Sequence, residues 1–272
     1  MKVLIYDNKG KDKNGVCLNK LISLFDRYDV CYQQIEDFDL DKTISADAIF
    51  AIGGDGTILW LTEFSNKNNI PLIGINAGKL GFLSEFELDD IENAVKLFKE
   101  NKLIIDERLT LKVSVNGKDY HALNDAYIQR LYSKDVGCLT AEISIKIDGS
   151  DAGKLTGDGV VVCSPTGSTA YSLSAGGPIL SPQINALCAT PIAAHGLSHR
   201  PIVFSADSTC ELSLTGRAYA TLFIDGKFIS EIRKGDVVAI QKTVNCTKFL
   251  RKSDFDFYKR LSEKLKDNLN LE

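Results

Sequence analysis

Five consecutive residues, Gly53-Gly54-Asp55-Gly56-Thr57, set one carboxylate among glycines directly after the short apolar run Asp47 to Ile52. Apolar spacing at Ile58, Leu61 and Phe64 then opens a helix, so the loop joins a buried strand to a helix start. Glycines let a backbone turn tightly and approach a charged ligand. Exposed N–H groups at a helix start attract anions. The aspartate is the unusual member: beside polyphosphate it repels, unless it acts on a metal ion or on a hydroxyl proton. The loop therefore points to phosphoryl transfer rather than to passive phosphate binding. It is neither a Walker A sequence nor a G-x-G-x-x-G fingerprint.

A second constellation runs from Gly157 to Ile179. Gly157-Asp158-Gly159 makes a turn, Val160 to Cys163 a short β-branched strand, and Ser164-Pro165-Thr166-Gly167-Ser168-Thr169 a hydroxyl-rich loop entering a helix expected near Gly167 to Leu173. The double glycine 176–177 ends it. Ser164, Thr166, Ser168 and Thr169 offer hydroxyls that can bond a nucleotide's polar edges. Tyr171 offers a stacking face with a polar tip. Asn124-Asp125 reads either as an Asx turn between strands or as a pair of ligand-facing polar groups.

The elements that must position these residues fall into two groups. Before residue 104, short unbroken apolar strands (Lys2 to Tyr6, Val30 to Ile35, Asp47 to Ile52, Ile70 to Ile75) alternate with helical spacing at Leu18–Phe25, Ile58–Phe64 and Ile91–Phe98. That pattern predicts a Rossmann-like parallel sheet covered on both faces. From Ile105 onward apolar and polar residues alternate, as in Ile105 to Val115, Tyr120 to Ile128, Glu142 to Ile147 and Ala220 to Ile224. Asn116-Gly117, Asp148-Gly149 and Asp225-Gly226 mark hairpins between such runs. The expected class is an α/β N-terminal domain plus a β-rich, β-sandwich C-terminal domain, α+β overall. The expected domains are 1–104, 105–245, and a 246–272 tail whose helix returns to the N-terminal domain.

The bulk numbers exclude several classes. With 272 residues, 44% hydrophobic, 25% charged and a net charge of -4, the chain is globular and lacks the basic footprint of a general nucleic-acid binder. No apolar run approaches the length of a membrane-spanning helix. Seven widely spaced cysteines without a C-x-x-C indicate reduced thiols in a cytoplasmic protein rather than a disulfide framework. The three histidines, His121, His195 and His199, show no metal-ligand spacing.

The GGDGT loop resembles that of a kinase superfamily containing NAD kinases, diacylglycerol and sphingosine kinases, and phosphofructokinases. The run from Asp158 to Ile179 resembles the NAD kinase signature, a DG followed by a TPTGSTAYSLSAGGPI-like stretch, with Ser164 where Thr is more usual. Asn76 to Leu83, Leu123-Asn124-Asp125, Pro191 to Pro201 and Asp225-Gly226-Lys227 resemble further segments of that family in the same order, so the resemblance spans residues 1 to about 260.

The resemblance implies Mg²⁺-dependent transfer of the ATP γ-phosphoryl group to the 2′-hydroxyl of the adenosine ribose of NAD, giving NADP. Asp55 would be catalytic, with Gly53, Gly54, Gly56 and Thr57 at the phosphates and the dinucleotide. Asn124 and Asp125 would hold the dinucleotide. Asp158 would reach it from a neighbouring subunit. Thr166, Thr169, Ala170, Tyr171, Ser172, Leu173 and Ser174 would line the adenosine pocket, and Ala193 would pack on the ligand. Thr156 stands where many relatives carry Arg, which leaves Lys154 as the nearest cation for phosphate. No side chain is assigned as a metal ligand. The implied partners are small molecules, not nucleic acid or membrane, and the implied assembly is a homodimer or homotetramer. Two other readings stand beside this one: a lipid or sugar kinase on the same loop, and a non-catalytic NADP-binding sensor.

Overall fold

The structure, a computed structural model, describes residues 1–36, 42–78, 81–131, 140–196, 199–217 and 219–269. Lys79 and Leu80 in the 76–83 segment, Leu197 and Ser198 in the 191–201 segment, and Cys138 lie outside the described residues. The chain divides into two compact units, residues 1–107 with 247–272, and residues 108–246.

The first unit opens with β1 (Lys2–Asp7), α1 (Val16–Arg27), β2 (Cys31–Ile35), β3 (Ala48–Gly53), α2 (Asp55–Asn68), β4 (Leu72–Asn76), β5 (Phe86–Glu87), α3 (Ile91–Lys99) and β6 (Ile104–Arg108). Residues 105–108, which alternate like those of the β-rich region, thus belong to the first unit's sheet. The second unit holds β7 (Leu111–Val115), β8 (Lys118–Ala122), β9 (Asp125–Arg130), β10 (Ala141–Ile147), β11 (Ser150–Gly157) and β12 (Gly159–Cys163). A 3-10 turn (Thr166–Thr169) and α4 (Tyr171–Ser174) lead to β13 (Ala186–Ile192), β14 (Ile202–Ser205), β15 (Cys210–Leu214), β16 (Ala220–Ile224), β17 (Lys227–Ile232) and β18 (Val237–Lys242). The chain then returns to the first unit with β19 (Thr247–Arg251) and α5 (Phe257–Leu269).

In the first unit the strands run β2-β1-β3-β4-β19-β6, with β5 beside β4. The pairs β1–β2, β1–β3, β3–β4, β4–β5 and β4–β19 are parallel. Every residue of β3 is buried, as expected of a central strand covered on both faces. Ala48, Phe50 and Ile52 join a core with Cys17, Leu21, Leu24 and Phe25 of α1 and Ile91, Ala94, Val95 and Phe98 of α3. Those helical residues recur at the three- and four-residue spacing that puts them on one face. Asp12 fixes where α1 starts by accepting from the Cys17 and Leu18 N–H groups at 3.1 and 2.9 Å.

The second unit is a sandwich of two six-stranded sheets, β11-β10-β15-β18-β7-β8 and β14-β13-β12-β9-β16-β17, all paired antiparallel. Val113, Ile143, Leu212 and Ile240 of the first sheet share one core with Ile128, Val160, Val162 and Leu222 of the second. The Asn116-Gly117, Asp148-Gly149 and Asp225-Gly226 turns each take positive φ at both residues, the type I′ geometry whose twist matches paired strands. Tyr120 to Ile128, an apparently continuous run, is cut at Leu123-Asn124 so that β8 and β9 enter different sheets.

Candidate active site

The first group of residues stands where β3 ends. Gly54 is extended, and α2 begins at Asp55. The Thr57 hydroxyl faces inward and accepts from the Asn8 side-chain amide at 2.9 Å, tying the loop to the end of β1. At Gly54 and Gly56 an added Cβ would meet nothing within 4 Å among the described residues. The half-buried Asp55 carboxylate is held by two backbone donors: Phe82 N–H to Oδ2 at 2.9 Å and Leu83 N–H to Oδ1 at 3.1 Å. Each oxygen keeps a further lone pair for a substrate hydroxyl. A Cβ at Gly81 would lie 2.0 Å from Asp55 Oδ1, so only glycine lets this segment close on the carboxylate.

At the ends of β1 and β2 lies a cavity of about 310 Å³, lined by Ile5 to Gly10, Leu18 and Gln34 to Glu36. The carboxyl ends of parallel strands are where open α/β sheets take ligands. Asp7 borders this cavity. Its Oδ1 is buried without a hydrogen-bond partner among the described residues, and burial with the nearby Asp12 charge pushes its carboxyl above the usual range. Among the described residues no group of three or more His, Cys, Asp or Glu is arranged to hold a metal ion.

The second group is built on β12. Val160 and Val162 face the sandwich core, while Cys163 packs with Leu180 and Cys188 on the opposite face. The segment 164–180 covers that outer face, which explains why an entire antiparallel strand is buried. The serine hydroxyls fasten this cover. Ser164 donates to the Leu123 carbonyl at 2.6 Å and accepts from the Gly167 N–H at 3.1 Å. Ser168 donates to the Pro165 carbonyl at 2.7 Å and accepts from the Leu180 N–H at 2.9 Å. Ser172 bonds Thr190 at 2.9 Å. All three serines are completely buried. The expectation that Ser164 and Ser168 present donors to a nucleotide is corrected: their hydroxyls join loop to sheet. The Ser172 hydroxyl likewise faces the sheet, and Thr169 donates to the Thr166 carbonyl at 3.1 Å. The expected helix 167–173 becomes a 3-10 turn followed by the one-turn α4, because Asp125 accepts from the Tyr171 N–H and restarts the helix there.

Asn124 and Asp125 are fixed by a residue whose part the sequence did not disclose. The half-buried Asp225 carboxylate accepts from the Leu123, Asn124 and Asp125 N–H groups at 2.8, 2.8 and 3.2 Å. The Asp-Gly turn signal placed Asp225 correctly in a hairpin but gave no hint of this reach across 100 residues. Burial, then the Asp225 charge, raise the Asp125 carboxyl to about 7. Tyr127 stacks on Phe223 at 4.9 Å and meets Tyr171 edge-on at 4.7 Å, forming an aromatic wall beside Asp125.

Asn124, Asp125, Thr166, Thr169, Ala170, Tyr171, Ser172, Leu173 and Ser174 therefore gather at the Cys163 end of β12. Thr156, Asp158 and Ala193 stand at its Gly159 end, about 13 Å away by strand rise. There Asp158 pairs with Arg130 at 2.8 Å, and the half-exposed Lys154 on β11 is paired with Glu142. Ala193 is exposed with φ 45°, a left-handed conformation that is strained for alanine.

The N-terminal domain model of ATP-NAD kinase matches residues 8–103, and the C-terminal domain model matches residues 123–252. An NAD kinase of Caldicellulosiruptor bescii is 34% identical over 267 residues, 98% of this chain and 100% of that protein. The chain belongs to the ATP-NAD kinase family. An NAD kinase of Fusobacterium nucleatum is 37% identical over 85% of this chain and 86% of its own length. The crystal structure of a yeast NADH kinase complexed with NADH superposes with a TM-score of 0.87 at 25% identity, covering 100% of this chain and 89% of that one. Membership makes the chain an enzyme of the kinase class and sets it apart from the lipid and sugar kinases that share a GGDGT loop. No described helix is long and apolar enough to cross a membrane.

Proposed function

We propose that this chain transfers the γ-phosphoryl group of ATP, as its Mg²⁺ complex, to the 2′-hydroxyl of the adenosine ribose of NAD, giving NADP. The observation that carries the reading is Asp55: one carboxylate, aimed by two backbone N–H groups, beside glycines with open space above them. Phosphoryl transfer passes through a loose in-line transition state, so positioning and charge neutralisation dominate. Asp55 accepts the proton of the attacking hydroxyl. The backbone at Gly53, Gly54 and Gly56, with Thr57 behind it and the N-terminus of α2 beneath, offers N–H groups to phosphate oxygens. A bound Mg²⁺ would supply charge neutralisation for the triphosphate. The residues fit such an ion: their donors are hard oxygens, and the Asp7 oxygen on the cavity wall, without a partner among the described residues, is the one best suited to a hydrated cation.

In the β-rich unit, Asn124 and Asp125 bond the dinucleotide's polar groups, and Thr166, Thr169, Ala170, Tyr171, Leu173 and Ser174 border its adenosine, Tyr171 offering the stacking face, while the buried Ser172 holds this segment to the sheet. Asp158 and Ala193, at the opposite end of β12, serve a neighbouring copy's site in a homodimer or homotetramer. Val203 and Phe228, 48% and 63% exposed on the two edge strands of that sheet, support such assembly. Lys154, paired with Glu142, reaches phosphate only by leaving that partner. The reading places the enzyme in the cytoplasm, in keeping with widely spaced cysteines and no C-x-x-C.

An assay for NADP formation from NAD, ATP and Mg²⁺ tests the reading. Turnover supports it. NADP binding without turnover would instead mark a sensor, and thermal stabilisation by diacylglycerol or a sugar phosphate but not by NAD would overturn the substrate assignment. Light scattering on the pure protein tests the assembly.

A further inference from the structure

We propose that Arg260, in the C-terminal helix α5, is a positioning residue for phosphoryl transfer: it fixes the Gly81–Glu85 strap whose backbone holds the Asp55 carboxylate. The inference rests on the reading of Asp55 as the proton acceptor. Arg260 Nη1 donates to the carbonyls of Gly81 and Ser84, both at 3.1 Å. The Gly81 carbonyl and the Phe82 N–H belong to one peptide group. Arg260 therefore pulls on one end of the unit whose other end donates to Asp55 at 2.9 Å. A cation on a carbonyl oxygen polarises its peptide and strengthens the N–H as a donor. The strap's far end is tied to the sheet by the Glu85 N–H, which donates to the Gly74 carbonyl of β4 at 3.0 Å.

The guanidinium is itself held in place. Its side chain is only 12% exposed, Glu85 lies 3.8 Å from Nη2, and the Phe255 ring lies 5.9 Å from its central carbon. Glu85 is shared with the fully buried Arg251, which also bonds Asp106 at 2.7 Å. Two arginines thus face two carboxylates, and a buried group of this kind is worth more for the geometry it imposes than for net stability. Arg251 anchors the network to the sheet, and Arg260 carries it to the strap. A rigid shell behind a reacting group is what keeps that group within the tolerance catalysis requires.

The test uses the full-length enzyme with steady-state kinetics and thermal melts on Arg260→Ala, Arg260→Gln, Arg260→Lys, Asp55→Asn and the double variant Asp55→Asn with Arg260→Ala. Arg260→Ala is expected to lower kcat about tenfold to a hundredfold, the cost of misplacing a reacting group by roughly 1 Å. KM for NAD should change less than about threefold, since uniform binding is untouched. Arg260→Lys should recover part of the loss. In the Asp55→Asn background, Arg260→Ala should change the residual rate by less than about threefold, because the group it positions is gone. Should Arg260→Ala not fold, Arg260→Gln, too short to reach both carbonyls, carries the same comparison. A kcat within about twofold of wild type alongside a lowered melting temperature would overturn the proposal. So would a loss that multiplies in full on Asp55→Asn. Wild-type turnover in Asp55→Asn alone would sink the reading of Asp55 itself, a result separate from either.

Discussion

At Gly54 and Gly56, after β3, an added Cβ would find open space, whereas at Gly167 and Gly177 it would lie 2.0 Å from the Asn124 carbonyl oxygen and 2.2 Å from the Ser172 hydroxyl. The same residue type serves opposite ends. After β3 bare backbone leaves room that no atom of the described residues fills, as a ligand approaching the chain requires. At Gly167 and Gly177, as at Gly81, it lets two protein segments close on each other, so that Asn124-Asp125 and the 164–180 cover pack as one. The carboxylates differ in the same sense. Asp55 is held at the edge of open space by two N–H groups; Asp125 is enclosed beside a second carboxylate. Environment, not residue type, divides reacting from binding roles.

The comparison breaks first at Asp55. Asp55→Asn preserves shape and removes the proton acceptor, so kcat should fall about 10²–10⁴-fold with NAD binding retained. Steady-state kinetics with calorimetric NAD titration measures both. Turnover near wild type would leave the open loop with no chemical part. Next comes the crowded glycine. Gly167→Ala sets a methyl against backbone that cannot swing aside, so the second unit should lose roughly 1–3 kcal/mol or more. Urea unfolding gives the number, and an unchanged midpoint would show that the 123–125 and 164–167 segments are not locked together.

A smaller effect tests the enclosed carboxylate. Asp125 is raised from 3.8 to about 7 by burial and by Asp225, itself raised; Tyr127 and Cys163 beside it are raised too and stay neutral in this range. Between about pH 4 and about 7 the folded chain keeps a proton that the unfolded chain has released, so this group's contribution to stability is lost as pH rises through that window. An amide stays neutral throughout. Relative to the parent, Asp125→Asn should therefore gain on the order of 1 kcal/mol, about 2–4 °C in melting temperature, on going from pH 5 to pH 8. A parallel shift of both proteins with pH would remove the enclosed-carboxylate account.

What the sequence made legible was local. The β3 run, the glycines after it and the positive-φ turns each announce themselves within a few residues, because period and turn chemistry act at short range. Asp225 beneath Asn124, Ser172 against Thr190, and Arg260 on the strap could not be read that way. Each is a polar group paired across tens to hundreds of residues, and nothing adjacent in sequence marks it. The hydroxyl-rich loop shows the cost of local reading. Its serines have the types a nucleotide would want, yet burial assigns those hydroxyls to the sheet. Arg260, which bonds the strap behind Asp55, lies in a tail whose sequence shows only helical spacing.

The smallest effect sharpens the comparison most. Gly56 sits in the first turn of α2 without a positive φ, and no atom of the described residues occupies the space its Cβ would take. By stability alone, Gly56→Ala should be favourable by about 0.4–1 kcal/mol, since alanine narrows the unfolded ensemble and favours helix. If that space belongs to substrate, the methyl blocks the approach, and KM for NAD or ATP should rise about tenfold or more while the melting temperature rises by about 1–4 °C. Opposite signs in one variant separate space reserved for a ligand from space merely open to solvent. A variant both more stable and kinetically unchanged would show that the loop's openness is incidental, and that Asp55 meets its substrate without close approach of this backbone.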